Sequence, residues 1–337
     1  MWAIVNRTSF EAGKAWVRDR DGVHQWIVAV KGTFEIRPDG RVALADTQVP
    51  ALVLPEYSGE PGMSSVKYDA DVVPPKPTTD ITVNATAYAP GERPSRQFLV
   101  SIRVGAVSKT IRVTGHRTGR GGAFSALNAP EPITEIPITY ERAYGGYEHT
   151  DPDPKNHQLD TRNPVGRGIA KRSTQAADAL LPNFDYPSGD LHKTGPAGFG
   201  AIDTFWSPRR ELMGTYDDAW KEQRFPLLPI DWDPRSLLCS PRDQQPESHL
   251  RGGEPVELSN MTRDGALRFV LPAVSLRFAT RFATTSGWRT EEHGSSLSSV
   301  IIEPDHPRVM MVWSSALTCT MEPDYLEETV VREVALR

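Results

Sequence analysis

A long central block, residues 138–254, most constrains how this chain can fold, because it lacks the regular apolar spacing of helices and strands. Glycine, proline and aromatic residues are concentrated there, together with isolated charged residues. Such a segment must satisfy its backbone polar groups through tight turns and side-chain hydrogen bonds. It is also too rich in Trp, Tyr and Phe for a disordered segment. We therefore predict that this segment, the motif block, is ordered and rich in loops.

The segments on both sides of the motif block alternate as strands do. In residues 1–137 we predict strands at 26–36, 41–44 and 80–89, and a hairpin of 98–104 with 109–113. In residues 255–337 we predict strands at 255–260, 266–271 and 274–282, and a hairpin of 299–303 with 308–313. The final segment, 325–336, suits either a helix or a strand.

Together these patterns predict a mainly β fold with a sandwich-like core of antiparallel hairpins, built from both ends of a single domain, residues 1–337. The motif block would be a loop-rich excursion lying against that core. Its one predicted helix spans 216–223, with Thr215 as the N-cap, Asp218 completing a capping box, and Pro226 ending it. Helices are expected to be few and short, because the chain has 29 prolines and 26 glycines.

Charge and hydropathy limit the classes of partner. A net charge of −5 gives no general attraction to nucleic acid or to an anionic membrane, so we expect neither as a partner. No run approaches the roughly 20 apolar residues that span a bilayer. The first residues lack a signal-peptide pattern, and Cys239 and Cys319 lack a disulfide framework, so we expect a cytoplasmic protein with two free, buried thiols.

Three patterns resemble chemical sites, but none has the required spacing. The glycine-rich segment 114–122 lacks the lysine of a phosphate loop and suits a solvated connection, although its arginines could bind an anion. Residues 149–153 lack the later ligands of a calcium loop, and turn capping by aspartate explains them better. Glu141, Asp231 and Asp233 could be imagined as the carboxylates of a glycosidase. We expect no metal, no cofactor and no catalytic centre, with a polysaccharide hydrolase as the alternative.

The motif block is better interpreted as architecture and recognition. Its arginines can fork onto backbone carbonyls and hold the loops, with Glu141, Asp217 and Asp231 as expected partners, or they can anchor a partner protein. Its aromatic residues can rim a binding surface or pack in the core. The predicted partner-binding residues are Tyr140, Arg142, Tyr144, Tyr147, Arg167, Phe199, Trp206, Arg209 and Trp220.

Six short motifs follow one another in this block: Tyr140–Gly146, Asn163–Gly168, Pro196–Ile202, Trp206–Arg209, Gly214–Trp220 and Gly252–Glu254. Their order resembles a bacterial family called domain of unknown function 2169. The resemblance implies a cytoplasmic, non-enzymatic adaptor chaperone of type VI secretion. Such a protein would bind an effector toxin and help to load it onto a spike (VgrG-like) or tip (PAAR-like) protein. A structural component of a phage-like assembly is a further alternative.

Overall fold

The computed structural model describes residues 2–117, 129–169, 180–319 and 325–334, and this part of the chain is mainly β, as predicted. The strands are β1 Ala3–Asn6, β2 Glu11–Arg18, β3 His24–Ile36, β4 Val42–Leu44, β5 Glu56–Tyr57, β6 Val66–Tyr68, β7 Asp80–Val83, β8 Thr86–Tyr88, β9 Gln97–Val104, β10 Val107–Thr114, β11 Glu135–Pro137, β12 Tyr144–Gly145, β13 Tyr147–Glu148, β14 Gln158–Leu159, β15 Arg167–Gly168, β16 Phe184–Asp185, β17 Pro255–Ser259, β18 Ala266–Val270, β19 Ser275–Thr284, β20 Gly287–His293, β21 Ser296–Glu303, β22 Arg308–Cys319 and β23 Leu326–Val334. The α-helices are α1 Leu191–Thr194 and α2 Asp218–Gln223. Short 3-10 helices span Pro90–Glu92, Tyr140–Arg142, Pro154–Asn156, Arg210–Met213, Pro234–Leu237 and Arg242–Gln244.

The central sheet has the strand order β2-β3-β22-β21-β7, with β4 also paired to β3. Its longest pairing is between β3 and β22, which run antiparallel with Val30 opposite Trp313. Strand β3 is buried on both faces: Trp26 and Val28 belong to the main core, whereas Ile27 packs in a second cluster with Val72. A strand covered on both faces has a continuous apolar run, which explains the lack of alternation in residues 26–30.

Two further sheets complete the core. Their strand orders are β1-β23-β19-β20 and β16-β10-β9-β17-β18. One hydrophobic cluster joins all three sheets, through side chains such as Trp26, Ile102 and Phe278. Strands β1 and β23 pair in parallel, with Ala3 opposite Glu328, so both ends of the chain contribute to the same sheet.

The structure corrects two local predictions and decides one that was open. Residues 80–89 form two strands in different sheets: β7 pairs with β21, whereas β8 pairs with β11, and Asn84 between them donates its side-chain amide to the Lys67 carbonyl. Helix α2 is capped by Asp217, not by Thr215, whose hydroxyl donates instead to Asp231 at 2.8 Å. The open segment at the end of the chain forms strand β23.

The predicted hairpins of 98–104 with 109–113 and of 299–303 with 308–313 are confirmed as β9-β10 and β21-β22. A search of the helices in the described ranges finds none that is both long enough and apolar enough to cross a bilayer.

Candidate functional site

The motif block is fastened to the central sheet by the buried carboxylate of Asp80, the first residue of β7. Asp80 accepts hydrogen bonds from the backbone N–H groups of Cys239 at 3.1 Å and Ser240 at 2.8 Å, and from the Ser240 hydroxyl. It also pairs with the buried Lys76 ammonium at 2.7 Å, and Lys76 donates to Ser299 on β21. Burial would raise the pKa of Asp80, but Lys76 and Ser240 outweigh it and hold that pKa below its ordinary value. One carboxylate therefore joins the late part of the block to two strands.

Arg209 is a second residue that connects distant segments of the chain at the block. Its guanidinium pairs with Asp69 at 3.0 Å and donates to the carbonyl oxygens of Ser236 at 3.0 Å and Ile202 at 2.6 Å. The residue is only 6% exposed. Arg209, which was predicted to bind a partner, therefore holds loops of the block together, the other role considered for these arginines. An arginine fork of this kind fixes several carbonyls at once because its donors are rigidly arranged.

Glu141, Asp217 and Asp231 were expected to pair with the arginines of the block, but the structure gives these carboxylates other partners. Glu141 accepts from the backbone N–H and hydroxyl of Ser65. Asp217 caps α2, and Asp231 holds Thr215. Each carboxylate accepts hydrogen bonds from a nearby turn or from another segment of the chain. The spacing of the motifs does not reveal these partners.

Four of the predicted aromatic residues lie inside the protein. Phe199 is fully buried, and Tyr140 and Trp206 pack edge to face with ring centroids 5.6 Å apart. Tyr144 is also buried, with its hydroxyl 2.6 Å from Nδ1 of His192. These rings pack inside the block and stabilise it, and a role for them in partner binding stays a prediction.

The other two predicted aromatic residues are accessible. Tyr147 is 52% exposed and stacks on His149. Trp220, on α2, is half-buried and contacts the exposed rings of Tyr216 and Phe225, with centroids 4.8 and 5.7 Å away. For these two residues, a role in partner binding stays a prediction.

The motif block encloses a cleft of about 560 Å³, which we call the block cleft. Its lining is drawn from residues between 140 and 245, and therefore from the motif block itself. The lining residues are Tyr140, Arg162, Tyr186, Thr194, Pro196, Ile202, Ser207, Pro208, Arg209, Leu212, Arg235, Leu238, Ser240, Pro241, Arg242, Asp243 and Gln245. A concave site of this size, mainly apolar with a few placed polar groups, is typical of ligand and peptide pockets.

Four guanidinium groups line the block cleft, and three of them are held by aspartates. Besides Arg209, Arg162 pairs with Asp160 and Arg235 pairs with Asp233, each at 2.6 Å. Arg242 is exposed, and its side chain has no hydrogen bond or ion pair within the described ranges. The fixed arginines shape the cleft, whereas Arg242 is available to an incoming acidic group.

The sequence prediction missed a buried lysine beside the cleft. Lys109, on β10, donates to Asp243 at 2.9 Å, and the Tyr186 hydroxyl donates to the same carboxylate at 3.0 Å. Burial lowers the pKa of Lys109 to about 8, although Asp243 opposes that shift. Lys109 falls on the same alternate set as Val107 and Ile111, the inward face of β10, and that periodicity was the available signal.

The remaining patterns considered as chemical sites either form turns or lie mostly outside the described residues. Asp153 caps the 3-10 helix Pro154–Asn156, in agreement with the turn-capping interpretation. Most of the glycine-rich segment 114–122 lies outside the described residues. Within the described ranges, no three His, Cys, Asp or Glu side chains gather as metal ligands would. Cys239 and Cys319 are both buried and free.

Comparison with known protein families identifies the family of this chain. The family described as "Uncharacterized protein conserved in bacteria (DUF2169)" covers residues 21–314, so the chain belongs to this family. No curated protein and no solved structure matches the chain.

Proposed function

We propose that this chain, as a member of that family, is a non-enzymatic adaptor chaperone that binds a type VI secretion toxin in the cytoplasm and helps to load it onto the spike or tip protein. The observation that supports this most directly is the block cleft, an open concavity of about 560 Å³ lined by residues of the motif block. A cleft of that volume accommodates a few side chains of an extended segment, not a folded domain.

The lining indicates what kind of segment would bind. Ile202, Leu212 and Leu238 offer apolar contacts, and Arg242 offers an unpaired cation within the described ranges. The preferred ligand is therefore a client segment that carries an apolar anchor next to an acidic residue. Such a segment, apolar and unassembled in the free toxin, is what an adaptor would need to cover.

The rigid surroundings of the cleft also support binding over turnover. Asp80 and Arg209 hold the walls through buried contacts, so the cleft needs little ordering when a client enters. The carboxylates Glu141, Asp231 and Asp233, considered for a glycosidase, are absent from the cleft lining. A preorganised cleft whose carboxylate Asp243 is paired with Lys109, and whose Arg242 has no partner within the described ranges, suits recognition.

The neighbouring genes identify the toxin to test, and the purified toxin is titrated against the chain by calorimetry. Arg242→Glu and Leu212→Ala should each weaken binding by about tenfold or more, the usual effect of removing an interface anchor. Arg93→Glu is the matched control, because Arg93 is an exposed arginine away from the cleft. All three variants should keep the melting temperature of the parent.

Normal toxin binding by both cleft variants would contradict the proposed binding site. A gene neighbourhood without toxin or spike genes, or polysaccharide hydrolysis by the purified chain, would contradict the adaptor function itself. Retention of the chain in purified secretion particles would favour a structural component instead.

A further inference from the structure

Three arginine residues outside the block cleft meet around the short segment 181–183. Arg117 donates from Nη2 to the Pro182 carbonyl at 3.5 Å, and Arg167 donates from Nη2 to the Asn183 side-chain oxygen. The carbonyl of Arg142 accepts from the Asn183 backbone N–H at 2.8 Å. Residues from three distant parts of the chain thus surround one loop.

Backbone hydrogen bonds fix this arrangement. The Arg167 N–H donates to the Ala143 carbonyl at 3.0 Å, which places Arg167 beside Arg142. The Leu181 N–H donates to the Arg117 carbonyl at 3.1 Å, which places the third arginine on the same loop. The backbone positions of the three arginines therefore follow from the fold.

The three charges lack a counter-charge in the described part of the chain, where no carboxylate lies within ion-pair distance of Arg117, Arg142 or Arg167. The Nε–H groups of Arg117 and Arg167 are buried and have no acceptor among the described residues. Burial, and then the neighbouring Arg142, lower the pKa of Arg167.

Other arginines of the same region, in contrast, form ion pairs. Arg112, Arg162, Arg209 and Arg235 each pair with an aspartate. Buried donors without acceptors are rare in proteins and call for a specific explanation. An anion bound there would supply one, because it would accept from these donors and offset the mutual repulsion of the guanidinium groups.

We propose that Arg117, Arg142 and Arg167 form a binding site for a doubly charged oxyanion of the phosphate class. Guanidinium groups present paired donors that match the oxygen spacing of phosphate. Three positive charges with no paired carboxylate in the described part of the chain favour a dianion over a single carboxylate, since a monoanion would leave more charge uncompensated. A free phosphate ion and a phosphomonoester both have this chemistry. The site is separate from the block cleft, and its assignment does not depend on the adaptor function.

The test is calorimetric titration of the full chain at pH 7.5 with sodium phosphate and, separately, with phosphoserine, at constant ionic strength set by sodium chloride. We expect saturable binding with a Kd of about 1 mM or lower for at least one of the two. Saturation with phosphate indicates a free-ion site, and saturation with phosphoserine alone indicates a site for an esterified phosphate.

Arg142→Gln is the informative variant, because the Arg142 side chain makes no hydrogen bond within the described ranges and its loss should leave the fold intact. It should weaken anion binding by about tenfold or more. Arg93→Gln, which removes an exposed arginine elsewhere, should not change it. If Arg142→Gln lowers the melting temperature, Arg142→Lys, which keeps the charge, should restore both stability and most of the binding.

Three outcomes would overturn the proposal. One is the absence of saturable binding of either phosphate probe up to about 10 mM. A second is equal binding by Arg142→Gln and the parent. The third is preferential binding of acetate, which would indicate a carboxylate site.

Discussion

Replacing Asp80 with alanine should be among the most damaging single changes in this chain. The substitution removes the partner of the buried Lys76 ammonium, 2.7 Å away. It also removes the acceptor for the backbone N–H groups of Cys239 and Ser240. After the change, Lys76 would retain only the Ser299 hydroxyl among its described contacts.

The magnitude follows from the contacts that are lost. Breaking a buried ion pair by removing one partner costs about 3–5 kcal/mol, mainly because the remaining charge is uncompensated. A buried N–H group without an acceptor costs about 1–3 kcal/mol. These contributions overlap in one network, so we expect a loss of about 5 kcal/mol in the free energy of unfolding, comparable with the whole stability of many domains.

Urea unfolding monitored by tryptophan fluorescence measures this loss as a shift in the midpoint. Adding Lys76→Met to Asp80→Ala should recover part of the stability, because the uncompensated charge is then gone. Asp39→Ala breaks an exposed ion pair with Arg41 and should leave the midpoint unchanged. A loss below about 1 kcal/mol for Asp80→Ala, or no recovery in the double variant, would refute this reasoning.

Two further predictions concern other buried groups. Trp206→Ala should cost about 3–5 kcal/mol of stability, because the ring packs against Tyr140 in the interior; a parent-like melting temperature would contradict that placement. His293 lies between the hydroxyls of Ser315 and Thr280, at 2.6 and 2.8 Å, and burial lowers its pKa to about 4. The unfolded chain takes up that proton near pH 6.5, so stability should be complete above that pH and fall, by up to about 3 kcal/mol, as pH drops from 6.5 to 4. His293→Gln should have a shallower pH dependence in the same melting experiment, and identical slopes for the two proteins would contradict the assignment.

Strand content was predictable because alternation and β-branched residues report burial on one face of a sheet. The hairpins around 105–106 and 304–307 follow from local turn residues. The break between β7 and β8 was not predictable, because the two halves of one alternating run pair with distant strands, β21 and β11, in different sheets. The predicted N-cap of α2 was wrong for a similar reason. The Thr215 hydroxyl donates to Asp231, which lies well beyond the helix in sequence.

The site was less predictable than the fold. Motif identity does not reveal whether an aromatic ring points inward, so Phe199 and Tyr147 looked equivalent although one is buried and the other exposed. The fastening contacts of Asp80 and Arg209 join residues far apart in sequence, and no local spacing encodes them. Lys109 is the exception, because an inward-facing lysine in an alternating strand can be recognised from periodicity alone.

Amide hydrogen exchange of the chain with and without its client toxin tests the binding account most directly. We expect slower exchange on binding in segments 206–212 and 235–245, which line the block cleft, with little change in the accessible edge strand β20. Protection confined to β20 or to the exposed aromatic residues around α2, with the cleft segments unchanged, would contradict the claim that the cleft holds the client.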